Sequence, residues 1–406
     1  MYGLLGKTLK SSFSKEIHGL FGVSDYRYYE IAPADLKSFI KSGTFSGLNV
    51  TMPYKIDVMA YLDYISDEAS EVGSVNTIVK DDMGKLWGYN TDVYGFSAML
   101  DKAEFIVKDS KVLVLGSGGA SRAVCYVLRK RSAKEVIVIS RTGEDNYENI
   151  SKHYDADYII NATPVGMSPN DEERILDLSH FKRLKGVGDL IYNPLRTELL
   201  LQAEELYIPA IGGLYMLVAQ AKRADELFTG KAISDKRCDE VYEEIYKNKR
   251  SLVLVGMPGS GKTTIGKILA KKLHASFYDT DRMIYEMTHK TPEEIIKSEG
   301  ESMFRIIESK MIKQISSENN VIIATGGGAV TVDENNHNLR RNAIVVYVKR
   351  PIENLASKGR PLSQKAGIDK LYEARKDLYE RFSDTSITND GELYDAVDKL
   401  KNIIEN

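Results

Sequence analysis

Short runs of apolar, mostly β-branched residues alternate along the chain with longer segments in which apolar residues recur at helical spacing. This alternation is typical of parallel sheets built from strand–helix–strand units, and it predicts an α/β fold. The runs form two separate series. The predicted strands are residues 111–115, 135–139, 157–160 and 186–191 in the first series, and 252–255, 321–324 and 344–348 in the second.

The segment between the two series, residues 229–250, is rich in charge and poor in apolar residues. Its apolar positions Val241 and Ile245 are four residues apart, which indicates a surface helix. We expect the domain boundary here. The length agrees, because 406 residues correspond to two or three domains at about 150 residues each.

The composition mainly excludes classes of protein. The chain is 43% hydrophobic and 28% charged, with a net charge of −3, so nothing attracts it globally to nucleic acid or an anionic membrane. Cys125 and Cys238 lack zinc or disulfide spacing, which fits a reducing compartment. No signal-peptide core is present, and no run reaches the roughly 18 apolar residues of a membrane span. We therefore expect a cytoplasmic protein whose partners are small molecules, not nucleic acid or membranes.

Each series contains a glycine-rich turn directly after a strand: G-S-G-G at residues 116–119 and G-M-P-G-S-G-K-T at residues 256–263. Such turns let backbone N–H groups approach phosphates at a helix N-terminus. The second is a complete P-loop, in which Lys262 is expected to reach the ATP phosphates and Thr263 to ligate Mg²⁺. Two nucleotide sites are predicted.

The strand after the first turn ends at S-R-T, residues 140–142, where an NAD site would carry an acidic residue for the ribose 2′-hydroxyl. The cation of Arg141 favours the 2′-phosphate of NADP instead. The alternative is that Arg141 is a solvated residue at the strand end. The expected cofactor-binding residues are Gly116, Gly118, Gly119, Ala120, Ser140, Arg141 and Thr142 for NADP(H), and Gly256, Gly259, Gly261, Lys262, Thr263 and Thr264 for ATP.

Five polar motifs follow in order over the first 230 residues: S-F-S at 12–14, N-V-T-M-P-Y-K at 49–55, N-T-D at 90–92, N-A-T-P-V-G-M at 161–167 and G-L-Y-M-L-V-A-Q at 213–220. Each alone is a turn signal, but together they resemble shikimate dehydrogenase. The resemblance implies a two-lobed enzyme that reduces 3-dehydroshikimate to shikimate with NADPH. Its substrate lobe would span residues 1–95 plus 208–230, and its Rossmann-like NADP lobe residues 96–207.

The same resemblance implies that Lys55 and Asp92 are the catalytic pair, since an ammonium beside the ketone stabilises the developing alkoxide and supplies its proton. The implied substrate-binding residues are Ser12, Ser14, Thr51, Asn76 and Gln220. Departures from the family pattern are Thr8 and Lys15 beside the serines, a shortened segment after Arg141, and Glu144 and Asp145, whose charges are expected to weaken the preference for NADP. We expect Cys125 and His18 to serve packing rather than chemistry.

Beyond the P-loop, five further motifs resemble shikimate kinase over residues 250–406: F-Y-D-T-D at 277–281, F-R-I-I-E at 304–308, G-G-G-A at 326–329, R-P-L at 360–362 and R-K-D-L-Y at 375–379. The resemblance implies a P-loop domain with a parallel sheet that phosphorylates shikimate with ATP. The implied substrate-binding residues are Asp281, Arg305, Gly326, Gly327, Gly328 and Arg375.

Further roles follow from this second resemblance. Asp281 would accept the proton of the attacking hydroxyl, Lys262 and Arg360 would stabilise the transferring phosphoryl group, and Asp279 would lie in the outer shell of Mg²⁺. The alternatives are that D-T-D is only a turn and that Arg305 and Glu308 form an i,i+3 surface pair.

Together the two halves predict a fusion of residues 1–230 and 250–406 through a linker at 231–249, catalysing two consecutive steps of chorismate biosynthesis. The competing interpretations are a metabolite-sensing regulator built from the same modules, or a quinate dehydrogenase and a kinase for another small polyol.

Overall fold

The computed structural model describes residues 1–9, 12–355 and 367–405. Within them the chain divides into two compact units, Met1–Ile245 and Tyr246–Asn406. The division falls inside helix α8 (Asp235–Lys249), whose Cys238, Val241 and Ile245 are buried. Much of the segment predicted as a linker is therefore a helix with a buried apolar face. Among the described residues, no helix is both long and apolar enough to cross a membrane.

The first lobe of the first unit is a mixed sheet in the strand order β2-β1-β3-β5-β6-β4. Its strands are too short and too polar to stand out in the sequence, which is why the apolar pattern did not predict them. The strands are β1 (Tyr2–Gly6), β2 (Tyr26–Glu30), β3 (Gly47–Val50), β4 (Tyr64–Ile65), β5 (Thr77–Lys80) and β6 (Leu86–Tyr89); the helices are α1 (Ser14–Leu20), α2 (Leu36–Ser42), α3 (Asp67–Val72) and α4 (Thr91–Lys102).

The second lobe is a parallel sheet in the order β11-β10-β9-β7-β8. Strands β7 (Lys111–Leu115) and β8 (Glu135–Ile139) have their predicted bounds. β9 (Tyr158–Asn161) lies one residue later than predicted, and β10 (Gly186–Asp189) ends earlier. The remaining elements are α5 (Gly119–Lys130), α6 (Glu198–Glu205) and β11 (Ala210–Ile211).

Only a short 3₁₀ helix, Ile150–His153, lies between β8 and β9 in this described stretch. The shortened segment noted in the sequence therefore carries no α-helix here, and β8 is an edge strand of the sheet.

Helix α7 (Leu214–Thr229) returns to the first lobe and packs against α4. The two helices approach closely because Gly95 has no side chain: a Cβ there would lie 2.6 Å from the carbonyl oxygen of Met216 and 3.0 Å from the Cβ of Gln220. The packing of these helices therefore brings Gln220 beside the start of the α4 segment.

The second unit is a parallel sheet in the order β13-β14-β12-β15-β16. Its central strand β12 is fully buried because helices cover both faces. The strands are β12 (Ser251–Val255), β13 (Ser276–Asp279), β14 (Val321–Ala324), β15 (Ala343–Lys349) and β16 (Thr385–Thr388); the helices are α9 (Lys262–Leu273), α10 (Thr280–Thr288), α11 (Pro292–Glu299), α12 (Glu301–Ser316), α13 (Asp333–Arg340), α14 (Ile368–Phe382) and α15 (Leu393–Glu405).

Candidate active sites

Lys55 and Asp92 are in direct contact in the first unit. Lys55 Nζ lies 2.6 Å from Asp92 Oδ2, and their side chains are 16% and 3% exposed. Asp92 belongs to the first turn of α4, where unpaired backbone N–H groups and the helix dipole stabilise a carboxylate. The sequence-predicted catalytic pair is thus assembled as a largely buried ion pair.

The amide of Asn76 joins this pair to α7. Its oxygen accepts hydrogen bonds from the backbone N–H of Thr91 at 2.7 Å and from the hydroxyl of Thr77 at 3.0 Å. Its nitrogen donates to Asp92 Oδ1 at 2.8 Å and to Gln220 Oε1 at 3.3 Å. Because donors occupy the oxygen, the amide orientation is fixed.

The two predicted carboxylate-binding serines form their own hydrogen-bonded pair, with Ser12 Oγ donating to Ser14 Oγ at 2.9 Å. Both were expected in a loop, but Ser14 is the first residue of α1 and is buried. The Ser12 side chain also hydrogen-bonds Tyr192, and burial raises the pKa of that phenol to about 12. Thr51 directly follows β3 and is half-buried.

The first glycine turn lies against the predicted catalytic lysine. Gly116 has a φ of +102°, which favours glycine, and a Cβ there would lie 2.8 Å from Thr163 Cγ2. A Cβ on Gly119 would lie 3.5 Å from Lys55 Cβ, whereas one on Gly118 would meet nothing within 4 Å. The turn therefore offers open backbone beside Lys55, which fits a dinucleotide.

The end of β8 carries Arg141, which is exposed. The loop after it folds back, since the Ser140 N–H donates to the Asp145 carbonyl at 3.2 Å. The Asp145 carboxylate lies 2.8 Å from His153 Nε2. One of the two acids expected to oppose a 2′-phosphate is thus engaged by a histidine.

The P-loop of the second unit adopts the backbone that its glycines permit. Gly256, Gly259 and Gly261 have φ angles of +145°, +89° and +100°. Lys262 Nζ donates to the carbonyl oxygens of Gly256 at 2.8 Å and Met257 at 2.9 Å. Thr264 lies in the first turn of α9, so this loop and helix terminus can cradle the phosphates of ATP.

The hydroxyl of Thr263 donates to Asp279 Oδ2 at 2.6 Å, although 16 positions separate the two residues. Asp279 also caps α10 by accepting from the N–H of Arg282 at 3.2 Å, so it is more than a turn residue. Oxygen groups of this kind suit Mg²⁺. The described residues contain no cluster of three or more His, Cys, Asp or Glu side chains able to hold a metal.

The three successive glycines pack against charged side chains. A Cβ on Gly326 would lie 2.8 Å from Asp281 Oδ1, and a Cβ on Gly328 would lie 2.0 Å from Arg305 Nη2. Arg375 Nη1 donates to the carbonyl oxygen of Gly327 at 3.1 Å. Only glycine fits here, so the segment brings Asp281, Arg305 and Arg375 together around bare backbone.

Arg305 and Glu308 form a buried pair rather than the surface pair left open by the sequence. Arg305 Nη1 lies 2.6 Å from Glu308 Oε2, and the glutamate side chain is 0% exposed. Burial raises the pKa of Glu308, and the neighbouring Arg305 charge partly opposes this. A cavity of about 560 Å³ joins the P-loop to Asp281, Arg305 and Arg375. Arg360 lies outside the described residues.

Comparison with known proteins identifies both halves. The shikimate dehydrogenase substrate binding domain matches residues 4–78, and shikimate kinase matches residues 258–405. The shikimate dehydrogenase (NADP(+)) of Clostridium beijerinckii is 37% identical over 268 residues, which span 61% of this chain and 98% of that protein. The chain belongs to the shikimate dehydrogenase family. It also carries a shikimate kinase domain at its C-terminal end.

Solved structures agree over the first unit. A chorismate mutase/shikimate 5-dehydrogenase fusion protein from Clostridium acetobutylicum is 37% identical with a TM-score of 0.58, covering 60% of this chain and 96% of that one. Quinate dehydrogenase from Corynebacterium glutamicum, solved with NAD, is 30% identical with a TM-score of 0.54, covering 60% and 98%. The predicted fusion and fold class are confirmed: the chain is bifunctional and serves two consecutive steps of the shikimate pathway.

Two side-chain contacts with the P-loop were not predicted from the sequence. In the kinase domain, Asn389 Nδ2 donates to the carbonyl oxygen of Ser260 at 2.8 Å across 129 positions, and Arg350 Nη1 donates to that of Gly259 at 3.3 Å. Arg350 directly follows β15, so its place at the carboxyl end of a parallel strand was a usable signal. Asn389 offered no comparable signal in the sequence, because no motif or regular spacing relates it to the P-loop.

Proposed function

We propose that the first unit reduces 3-dehydroshikimate to shikimate with NADPH, and that the second transfers the γ-phosphoryl group of ATP to the 3-hydroxyl of shikimate. The observation that carries the proposal is the buried contact between Lys55 and Asp92, 2.6 Å long, beside the open glycine turn. An ammonium held there would stabilise the negative charge that a ketone oxygen gains on reduction.

In the reductase, bound NADPH supplies the hydride that converts the ketone carbon to an alcohol carbon. Lys55 Nζ donates a proton to the oxygen as the carbonyl bond becomes a single bond, and regains one from solvent. Asp92 holds the ammonium in position through their 2.6 Å contact. Asn76, Gln220 and Thr51 bind the ring hydroxyls, and the Ser12–Ser14 pair binds the carboxylate.

In the kinase, bound ATP supplies the phosphoryl group and Mg²⁺ neutralises part of its charge. Asp281 accepts the proton of the attacking hydroxyl, while Arg305 and Arg375 hold the substrate carboxylate by their planar guanidinium groups. Lys262 stabilises the charge that spreads over the transferring group. By the resemblance, Arg360 would also stabilise the transferring phosphoryl group.

A second candidate for the first unit is quinate oxidation, which the likeness to quinate dehydrogenase favours. A regulator with lost chemistry is disfavoured because Lys55, Asp92, Lys262 and Asp281 all remain.

The test is a pair of assays on the full chain. Shikimate with NADP⁺ should generate reduced cofactor, and shikimate with ATP and Mg²⁺ should release ADP. Faster turnover of quinate than of shikimate would support the second candidate, and absence of both activities would support the regulator. The Lys55→Ala chain is the inactive control for the dehydrogenase assay, and the Lys262→Ala chain is the inactive control for the kinase assay.

A further inference from the structure

Six side chains of the first unit form an ordered series of contacts that ends at Asp92. We call them the buried polar series; its members, in order, are Asp225, His18, Tyr26, Asn49, Thr77 and Asn76. All are buried except Asn49, which is half-buried. His18, which was expected to serve packing, thus also belongs to a series of contacts that leads towards the catalytic pair.

The far end of the series anchors a phenol. His18 Nδ1 lies 2.6 Å from Asp225 Oδ1, and the His18 ring stacks on Tyr26 with centroids 4.1 Å apart and planes at 14°. Burial, and next the charge of Asp225, raise the pKa of Tyr26 well above its ordinary value, with a smaller effect of Tyr28, while a hydrogen bond with Ser14 lowers it. The Tyr26 hydroxyl therefore keeps its proton and acts as a donor.

Starting from the Tyr26 hydroxyl, the donor and the acceptor of each following hydrogen bond in the series are fixed. Tyr26 donates to Asn49 Oδ1 at 2.8 Å, so the amide nitrogen of Asn49 faces Thr77 Oγ1 at 3.3 Å. Thr77 has one hydroxyl proton, which it donates to Asn76 Oδ1 at 3.0 Å. That leaves the nitrogen of Asn76 to face Asp92 Oδ1 at 2.8 Å.

We propose that Tyr26 and Thr77 are positioning residues of the dehydrogenase site. They orient the amide of Asn76 and, through it, the carboxylate of Asp92 and the contacts with the substrate hydroxyls. Because Tyr26 also hydrogen-bonds Ser14, it connects the predicted carboxylate-binding serines to the amide of Asn49. The inference rests on the proposed dehydrogenase function.

Two variants on different strands test it. Tyr26→Phe removes the donor to Asn49 Oδ1, and Thr77→Val removes the acceptor of Asn49 Nδ2 and one donor to Asn76 Oδ1, both at nearly constant shape. In Thr77→Val, Asn76 Oδ1 keeps only the donors of Thr91. Each should lower kcat/KM for shikimate about tenfold, with a raised KM for shikimate and an unchanged KM for NADP⁺. Thr77→Ser restores the hydroxyl and should recover most of the activity.

Tyr2→Phe is the matched control. Tyr2 pairs in register with Tyr26 on the neighbouring strand, but its hydroxyl donates to the backbone carbonyl of Phe228 at 3.0 Å, outside the series. This variant should stay within about twofold of the wild-type kcat/KM. The fluorescence of Trp87 reports whether the first unit of each variant is folded, and the kinase activity of the same chains reports whether the second unit is intact.

Wild-type kinetics in both Tyr26→Phe and Thr77→Val would overturn the inference. So would equal rises in KM for shikimate and NADP⁺, or no recovery in Thr77→Ser, since both indicate general distortion. A wild-type chain that does not oxidise shikimate would overturn the proposed function itself, which separates the two failures.

Discussion

Asp92 and Lys55 share a contact of 2.6 Å in which the carboxylate is almost wholly withdrawn from water and the lysine is not. The carboxylate has a second partner, the amide of Asn76 at 2.8 Å. It is therefore held from two sides, while the ammonium retains access to the cleft. This asymmetry suits a lysine that gives up a proton and an aspartate that only orients it.

The two chemistries should be separable by single substitutions, because effects at distant independent sites add. Lys55→Ala should lower the dehydrogenase rate roughly 10²–10⁴-fold, the usual range for a general acid, and leave ADP release unchanged. Lys262→Ala should abolish ADP release and leave shikimate oxidation unchanged. Loss of both activities in one folded variant would contradict independent sites.

Gly328→Ala should weaken shikimate binding in the kinase, because its Cβ would lie 2.0 Å from Arg305 Nη2 and displace the guanidinium. Loss of one charge-assisted hydrogen bond corresponds to an increase in KM for shikimate of about tenfold or more, with KM for ATP little changed. Gly391→Ala is the control, since its Cβ would meet no atom closer than 3.7 Å. Unchanged KM values in Gly328→Ala would indicate that Arg305 does not bind the substrate.

Arg141→Ala should reduce the preference for NADP. If the exposed guanidinium binds the 2′-phosphate, its removal raises KM for NADP⁺ about tenfold or more and leaves KM for NAD⁺ unchanged. Arg183→Ala is the control, because Arg183 lies near Asp157 at the amino ends of the strands. Equal KM values for NADP⁺ in the wild type and Arg141→Ala would make Arg141 a solvated strand-end residue.

Asp189 should make the first unit less stable as pH rises. Full burial raises its pKa from 3.8 to about 6, against hydrogen bonds from Thr197, Ile191 and Asn161. Between these pKa values the folded protein holds a proton that the unfolded chain releases, so the free energy of unfolding falls with increasing pH by about 3 kcal/mol in total.

The Asp189→Asn variant should lack that slope. Urea unfolding at several pH values can be followed by Trp87, the one tryptophan of the chain, which lies in the first unit. The wild type should lose stability relative to the variant as pH rises from 4 to 7. Parallel curves for the two proteins would mean that Asp189 ionises normally.

The sequence predicted the strands of the parallel sheets that form apolar runs, and it missed the edge strands β11, β13 and β16, which are short or mostly polar. β7, β8 and β14 have their predicted bounds. It also missed the mixed sheet of the first lobe, where β2 has a single buried residue, Tyr26, among exposed and half-buried ones, and where strand pairing joins residues far apart in sequence.

In the candidate sites, too, the sequence identified some residues, whereas others became evident only in the folded structure. Motif resemblance named Lys55 and Asp92 correctly as neighbours, and Arg305 was found in its motif. Glu308 was named in that motif, but its complete burial depends on tertiary packing. Tyr26 and Thr77 belong to none of the motifs on which the resemblance was based. Their proposed role depends on which side chain each hydroxyl contacts in the folded protein.

The most direct test of the central claim is the stoichiometry of a single reaction. The full chain is supplied with 3-dehydroshikimate, NADPH, ATP and Mg²⁺, and oxidised cofactor, ADP and shikimate 3-phosphate are quantified together. The account predicts equal amounts of all three at completion, none of them formed without 3-dehydroshikimate, and shikimate accumulating when ATP is omitted. Oxidation of NADPH with no shikimate 3-phosphate, or ADP release with no NADPH consumed, would contradict it.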